Sequence, residues 1–396
     1  MRYVDNFHIK QIVLLFLIFV FTAAGAQEGE NSARGKLETT AKAQINSWVT
    51  MNFSNPLKYQ AGGRFIPEIN FGQKHTNIKF DAQLSFNTAG MMNFQGWEQT
   101  GSYEKFSPYR IWARMSGNQY EIRAGLQKIN FGSAKLLRPL MWFDRIDPRD
   151  PLQLTDGVYA LLGRYYFRNN ANIWLWALMG NDKTKGWEMN ASTKTNPEYG
   201  GRFQFPLAKG EIAISFDRRK ADLTGFYQDT ITLAKETFIQ SKYALDGKWD
   251  IGIGIWFEYM LEKNNITGYQ SLYKYEHAAN IGMDYTFSLG NGLNASTEFF
   301  YLTQSDKLFE SEVSAELSAL SVNYPIGLIN RISAIIFYSW EDDALYRFIS
   351  LQQKYDYWSF YFMAFWNPEQ YSLYNFKETQ FLFSGKGIQI MAVYNF

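Results

Sequence analysis

The chain has 396 residues, with 39 basic and 38 acidic side chains, 46% hydrophobic residues, 18% aromatics and no cysteine. The near-neutral balance excludes the basic surplus that nucleic-acid binding requires. The lack of cysteine excludes disulfides, thiolate metal sites and a lipidated amino-terminal cysteine.

Met1 to Ala26 read as a secretory signal peptide, with basic Arg2 and Lys10, an apolar run from Ile12 to Phe21 and a small-residue cleavage site at Ala24-Gly25-Ala26. A membrane-spanning helix needs about 20 apolar residues, and this run is shorter. Cleavage would leave a chain starting near Gln27 with 37 basic and 37 acidic residues. Residues 27–40 are expected to form a short periplasmic segment, too small for a plug, with a barrel over 41–396.

Strict two-residue alternation then recurs along the chain. In Ile78 to Asn87 the apolar set is Ile78, Phe80, Ala82, Leu84 and Phe86, against Lys79, Asp81, Gln83, Ser85 and Asn87. Trp249 to Leu261 alternates in the same way, and Ile281 to Leu289 and Leu293 to Tyr301 do so less strictly. Such a period means strands with one apolar face and not helices.

Turn signals divide these strands near Gly72 to Thr76, Ser116 to Asn118, Asn169 to Ala171, Leu207 to Gly210, Asp246-Gly247, Gly290 to Gly292, Tyr324 to Gly327 and Lys354 to Asp356. Longer polar stretches lie between them, for example Gly90 to Tyr103, Asn181 to Pro197 and Ala221 to Lys235. Alternating short and long connections predict an all-β fold: a closed antiparallel up-and-down transmembrane β-barrel of about 18 strands. The 26 tyrosines and 12 tryptophans suit the lipid–water boundary of such a barrel.

Gly132 to Asp156 is the longest interruption of the strand pattern. It carries Lys135, Arg138, Asp144, Arg145, Asp147, Arg149 and Asp150 together with prolines and the apolar residues Leu136 to Phe143. Prolines keep it out of a ladder, and its apolar content argues against disorder. It is expected either to fold inward as a constriction or to cap the pore from outside. On the polar strand faces lie Arg64, Arg110, Arg114, Arg123, Arg164 and Arg202, with Trp112 sharing the face of Arg110 and Arg114. These arginines would line the pore and guide anions, or pair with lumen acids such as Asp81, Glu121 and Asp217.

Catalytic signatures are missing. There is no G-x-S-x-G, H-E-x-x-H or P-loop pattern. His75 and His277 read as turn or lumen residues, and Asp342-Asp343 as a solvated loop tip. The sequence therefore implies no catalytic residue, no metal and no cofactor.

The run Arg123 to Gly132 (RAGLQKINFG), followed by Asp147-Pro148-Arg149-Asp150, resembles a segment of the alginate-export-like and related outer-membrane porins. Those chains tend to carry a G-x-Q strand, a glycine and an N-P-x-D-like loop; here Asp147 stands in the Asn position, and the similarity spans about a tenth of the chain. The alternating strand Gly387 to Phe396, which ends on an aromatic, likewise resembles the insertion signal of bacterial outer-membrane barrels. By count Gly132–Asp156 lies in the third outer loop, which folds into the lumen in the general porins. The resemblance supports the porin class and not a substrate; with the barrel pattern and the charged inner faces, the expectation is a Gram-negative outer-membrane porin that passes small polar or anionic solutes by passive diffusion. Its partners would be outer-membrane lipid, the insertion machinery, and a second copy or a partner protein. The competing expectations are an outer-membrane lipase or protease, and the barrel component of an export or structural complex.

Overall fold

The computed structural model describes residues 37–223, 237–266, 273–369 and 383–396. The strands are β1 (Leu37–Asn52), β2 (Lys58–His75), β3 (Ile78–Gln95), β4 (Glu98–Ser116), β5 (Tyr120–Gln127) and β6 (Val158–Tyr166). Then follow β7 (Asn172–Leu178), β8 (Glu198–Leu207), β9 (Gly210–Asp222), β10 (Thr237–Asp250), β11 (Gly254–Asn265) and β12 (Tyr275–Phe287). The last six are β13 (Leu293–Ser305), β14 (Val313–Ile326), β15 (Asn330–Ser339), β16 (Ala344–Lys354), β17 (Trp358–Trp366) and β18 (Lys386–Asn395). Each strand pairs with the next in sequence and β1 pairs with β18, so the 18 strands close into one antiparallel ring. Closure leaves the ring no free edge at membrane level, which is what lets strands sit in hydrocarbon.

The period of two decides which residues meet lipid. On β1, Ile45, Val49 and Met51 are exposed on the outside, whereas Asn46, Thr50 and Asn52 between them are buried inside. Leu161, Leu175, Ile214 and Ile281 repeat the exposed apolar face around the ring.

The chain departs from the sequence reading at a few places. The signal region 1–26 and residues 27–36 lie outside the described residues, and β1 already begins at Leu37, where Leu37 to Thr40 pair with Gln73 to Asn70. Gly90 to Tyr103 is not a long loop, because β3 and β4 run through it to a tight turn at Gly96-Trp97. Trp97 is fully exposed and both faces of this hairpin tip meet water, so nothing imposes an apolar face there. Asp246-Gly247 is not a turn either. Asp246 faces inward from β10 to bind Arg202, and the rings of Trp249 and Phe257 occupy the space where a Cβ of Gly247 would stand. The turn comes at 251–253, where Gly252 takes a φ of +99°, so the alternation read over Trp249 to Leu261 belongs to two strands. Most of Ala221 to Lys235 lies outside the described residues.

Candidate functional site: the barrel interior

The inner wall changes character with height. Towards the short-turn end it is polar, but β6, β7 and β10 to β16 carry apolar inner residues towards the other end, among them Leu162, Trp176, Phe300, Leu317, Phe337 and Tyr346. These pack in one cluster with Phe131, Leu137, Leu140, Trp142 and Phe143 from the connection between β5 and β6. Phe131 stacks on Trp176 at 5.6 Å and meets Trp142 edge-on at 5.3 Å.

Two carboxylates fix the path of that connection. Glu258 on β11 accepts the backbone N–H groups of Ser133, Ala134 and Leu140, the last two at 2.7 and 3.2 Å. Glu298 on β13 accepts those of Lys135, Leu136 and Leu137 at 2.6 to 3.1 Å, and the Asn280 amide bonds both Glu298 and the Leu137 carbonyl. Gly132, at a φ of +95°, makes the turn in: any Cβ there would meet the Glu258 carboxylate and the backbone would be strained. Strands β11 and β13 stand well round the ring from β5 and β6. Farther along the connection, Leu152 packs with Trp48, Tyr361, Met391 and Val393 on β1, β17 and β18.

The charged residues of this connection are largely satisfied by the protein itself. Lys135 pairs with Asp284 and lies 5.0 Å from the Trp256 ring. Arg138 binds Asp144 and the Asn130 amide oxygen, each at 3.0 Å. Arg145 reaches the Thr184 hydroxyl at 3.0 Å and the Gly186 carbonyl. Arg149 forms a two-pronged pair with Asp147 at 2.8 and 2.6 Å, its guanidinium over the rings of Phe348 and Phe383. Asp150 accepts the N–H groups of Leu152 and Leu154, and its burial raises its pKa.

A second segment, 179–197, packs against the first, although its sequence shows only an irregular polar stretch. Trp187 donates to the Arg138 carbonyl at 2.6 Å and stacks near Phe300. Glu188 lies 3.1 Å from Arg219, 3.2 Å from Lys185 and 3.5 Å from Lys242, and Lys185 also bonds Glu198 and Ser192 at 2.8 Å. Burial opposes ionisation of Glu188, but Arg219, Lys185 and Lys242 outweigh it and bring its pKa down to about 2.

The six arginines of the polar faces have different surroundings. Arg114 and Arg123 are cross-strand neighbours, and with Arg164 they converge on Glu121 at 3.6, 2.8 and 3.7 Å; Arg114 also binds Asp81 at 2.7 Å. Trp112, on the same face, lies under the guanidinium groups of Arg114 and Arg123, at 5.7 and 4.8 Å. Arg202 is buried in a two-pronged pair with Asp246 at 2.6 and 2.7 Å. Arg110 donates to the carbonyls of Tyr109 and Thr155, at 2.5 and 2.8 Å, and to no carboxylate among the described residues. Arg64 sits 5.7 Å from the Trp48 ring and forms no ion pair among the described residues. His277 bridges the Tyr259 hydroxyl and the Leu308 carbonyl at 2.7 and 2.6 Å, and Asp343 accepts from the Tyr338 hydroxyl at 2.7 Å.

No protein-family model and no curated protein matches the sequence. Among solved structures, OccK5 (OpdH) of Pseudomonas aeruginosa superposes with a TM-score of 0.52 at 11% identity, over 91% of this chain and 97% of that one. The outer membrane channel DcaP of Acinetobacter baumannii gives 0.49 at 10%, over 93% and 99%. OmpF of Salmonella typhi gives 0.49 at 11%, over 91% and 98%. At such identities the likeness concerns the fold. With its single closed ring of 18 antiparallel strands, the chain has the barrel fold of the outer-membrane porins.

Proposed function

We propose that the chain is a Gram-negative outer-membrane porin, exported by Met1–Ala26, that passes small polar or anionic solutes by passive diffusion. In this reading residues 132–156 fold into the lumen and form its constriction. The observation that carries it is the pair of inner-face carboxylates, Glu258 and Glu298, which accept backbone N–H groups from that segment at strands distant from its own. Barrels of 16 to 18 strands, roughly, enclose a water channel unless something fills it. A segment bound at β11 and β13 and packed again at β1, β17 and β18 leaves solute a restricted path along the remaining wall. Selectivity then rests with the charges on that wall and not with the neutral net charge.

Reconstitution in planar bilayers tests this directly. Wild-type protein should give stepwise ion conductance, and shortening 133–143 should raise the unit conductance while the barrel stays heat-modifiable. Absence of conductance would remove the pore function. Unchanged conductance after shortening would place the segment outside the path.

A further inference from the structure

The alternation that separates lumen from lipid sets a basic row on the outside of β8 to β12. On β9 the inward residues Ala213, Ser215, Asp217, Arg219 and Ala221 are buried, so Ile214, Phe216, Arg218 and Lys220 face outward. On β11 Trp256, Glu258 and Met260 are inward, which puts Tyr259, Leu261 and Lys263 outside. Register then lines up Tyr199, Arg218, Ser241, Lys263 and Tyr275, each directly opposite the next across five neighbouring strands. Arg218 and Lys263 are exposed. Two spacings of about 4.8 Å put their backbones roughly 10 Å apart, with the short side chain of Ser241 between them. Lys220 stands two residues, roughly 7 Å, farther along β9.

Charge and height distinguish this row from the inner wall behind it. The inward cations of the same sector, Arg202, Arg219 and Lys242, have carboxylates at 2.6, 3.1 and 3.5 Å. Arg218, Lys220 and Lys263 form no ion pair among the described residues, and Asp222, one step beyond Lys220 on β9, is the acid that shares their outward face. One level nearer the short turns the outward positions become apolar. Phe216, Tyr243 and Leu261 stand opposite one another, and below them Ile214, Leu245 and Tyr259. The rings of Phe216 and Tyr243 meet at 5.3 Å. From the turn at Ile253 to Lys263 the chain climbs roughly 23 Å at a tilt of about 45°, close to the apolar band of about 25 Å on such barrels. The row therefore sits where the lipid-facing surface ends, on the side of the long connections.

A basic row resting on an apolar face fits an anionic head joined to hydrocarbon. A soluble anion would use the cations and leave the apolar face unused, and an uncharged chain would leave the cations unpaired. The Arg218 guanidinium offers a planar fork to phosphate oxygens, the Lys263 ammonium a point charge, and the Ser241 hydroxyl a further donor. Long basic side chains at this level can lay their stems on the apolar surface and keep their charges in the headgroup layer. We propose that the outward face of β8 to β12 is a docking surface for a phosphate-bearing lipid of the outer leaflet. Its phosphate lies between Arg218 and Lys263 over Ser241, and its chains run along Phe216, Tyr243 and Leu261. Lys220 adds a further charge for the same head. The surface is on the lipid side of the wall, so it is independent of what passes through the lumen.

Full-length protein refolded in neutral maltoside micelles, with retained lipid counted by native mass spectrometry, tests this. Diphosphoryl lipid A is the probe. The wild type should retain it in the presence of excess inorganic phosphate. Arg218→Gln and Lys263→Gln should each weaken binding about fivefold, the usual worth of one basic residue beside an anionic lipid surface. Lys263→Arg keeps the charge and should bind like the wild type. Arg347→Gln removes an outward arginine from another sector, where it lies over the Trp366 ring, and should leave binding unchanged. Heat-modifiability shows that each variant is folded. No retained lipid A in the wild type, undiminished binding in the Arg218→Gln/Lys263→Gln double variant, or an equal loss from Arg347→Gln overturns the docking surface. Displacement of the lipid by phosphate also overturns it, and makes the row a site for free anions.

Discussion

Phe396 and Ala43 exchange both of their backbone hydrogen bonds, at 3.0 and 2.7 Å, next to the Gln44–Asn395 pair of the β1/β18 seam. The ring of Phe396 stays half exposed on the outside, beside Tyr394 at 5.5 Å. One residue thus supplies both a rung of the closing seam and part of an aromatic girdle.

Deleting Phe396 should therefore block assembly. It frees the backbone groups of Ala43 at the seam, where unsatisfied groups near lipid cost several kcal/mol each. The expected outcome is loss of the heat-modifiable outer-membrane species and degradation of the chain in the periplasm. A normal amount of folded barrel after the deletion would show that the remaining rungs of β18 suffice.

Glu258 and Glu298 offer a second test, because each accepts several backbone hydrogen bonds at once. Glu258→Ala strips the acceptor from three N–H groups of the connection, and each buried unsatisfied donor costs about 1–3 kcal/mol. The connection should loosen, with faster proteolysis near residues 133–140 and noisier, larger single-channel currents. Glu258→Gln keeps one acceptor oxygen and should lie between Glu258→Ala and the wild type. Proteolysis and currents identical to the wild type in both variants would show that apolar packing alone holds the segment.

These carboxylates also show where the sequence is hard to read. Ile78 to Asn87 alternates cleanly because lipid selects Phe80 on one side and the lumen selects Ser85 and Asn87 on the other. Phe299 to Leu302 does not, since lipid takes Phe299 while the folded connection buries Phe300 and Leu302. With apolar demand on both faces, the period of two fades. Glu258 stands between inward-facing Trp256 and Met260, and Glu298 precedes inward-facing Phe300. A lone acid at an otherwise apolar inner position was the available signal, and it marks where a backbone arrives. The six arginines could be placed on polar faces from pattern alone. Their partners depend on register, which the sequence leaves open, so Arg202 could not be told from Arg64.

Acid should release the second segment at a defined point. Against burial, Arg219, Lys185 and Lys242 bring the Glu188 pKa to about 2, below the unfolded value of about 4.3. A depressed carboxylate stabilises the folded form above its unfolded pKa and loses that contribution as the pH falls through its folded pKa. Trp187, which stands beside Glu188 and donates to Arg138, should therefore keep its emission from neutral pH to about pH 4 and change it as the pH approaches about 2. The difference between wild-type and Trp187→Phe spectra isolates that signal. A transition centred near pH 6 would assign control of the segment to another group.

The convergence of Arg114, Arg123 and Arg164 on Glu121 gives a test of charge selectivity. With Lys79 and Asp81, the cluster holds four cations against two acids, a local positive excess on the inner wall close to the turn between β4 and β5. Fixed charge in a narrow space raises the local concentration of counter-ions. Removing the shared acid by Glu121→Gln should move the reversal potential towards greater anion preference, whereas Arg114→Gln with Arg123→Gln should move it towards cations. Both shifts should be largest in dilute salt, where the Debye length is about 30 Å at 0.01 M, and should nearly vanish at 1 M, where it is about 3 Å. Opposite shifts from the two variants, both suppressed by salt, would place the cluster on the conducting path. If neither variant moves the reversal potential at 0.01 M, these arginines serve to hold β3, β4, β5 and β6 together through Asp81 and Glu121, and solute passes elsewhere along the wall.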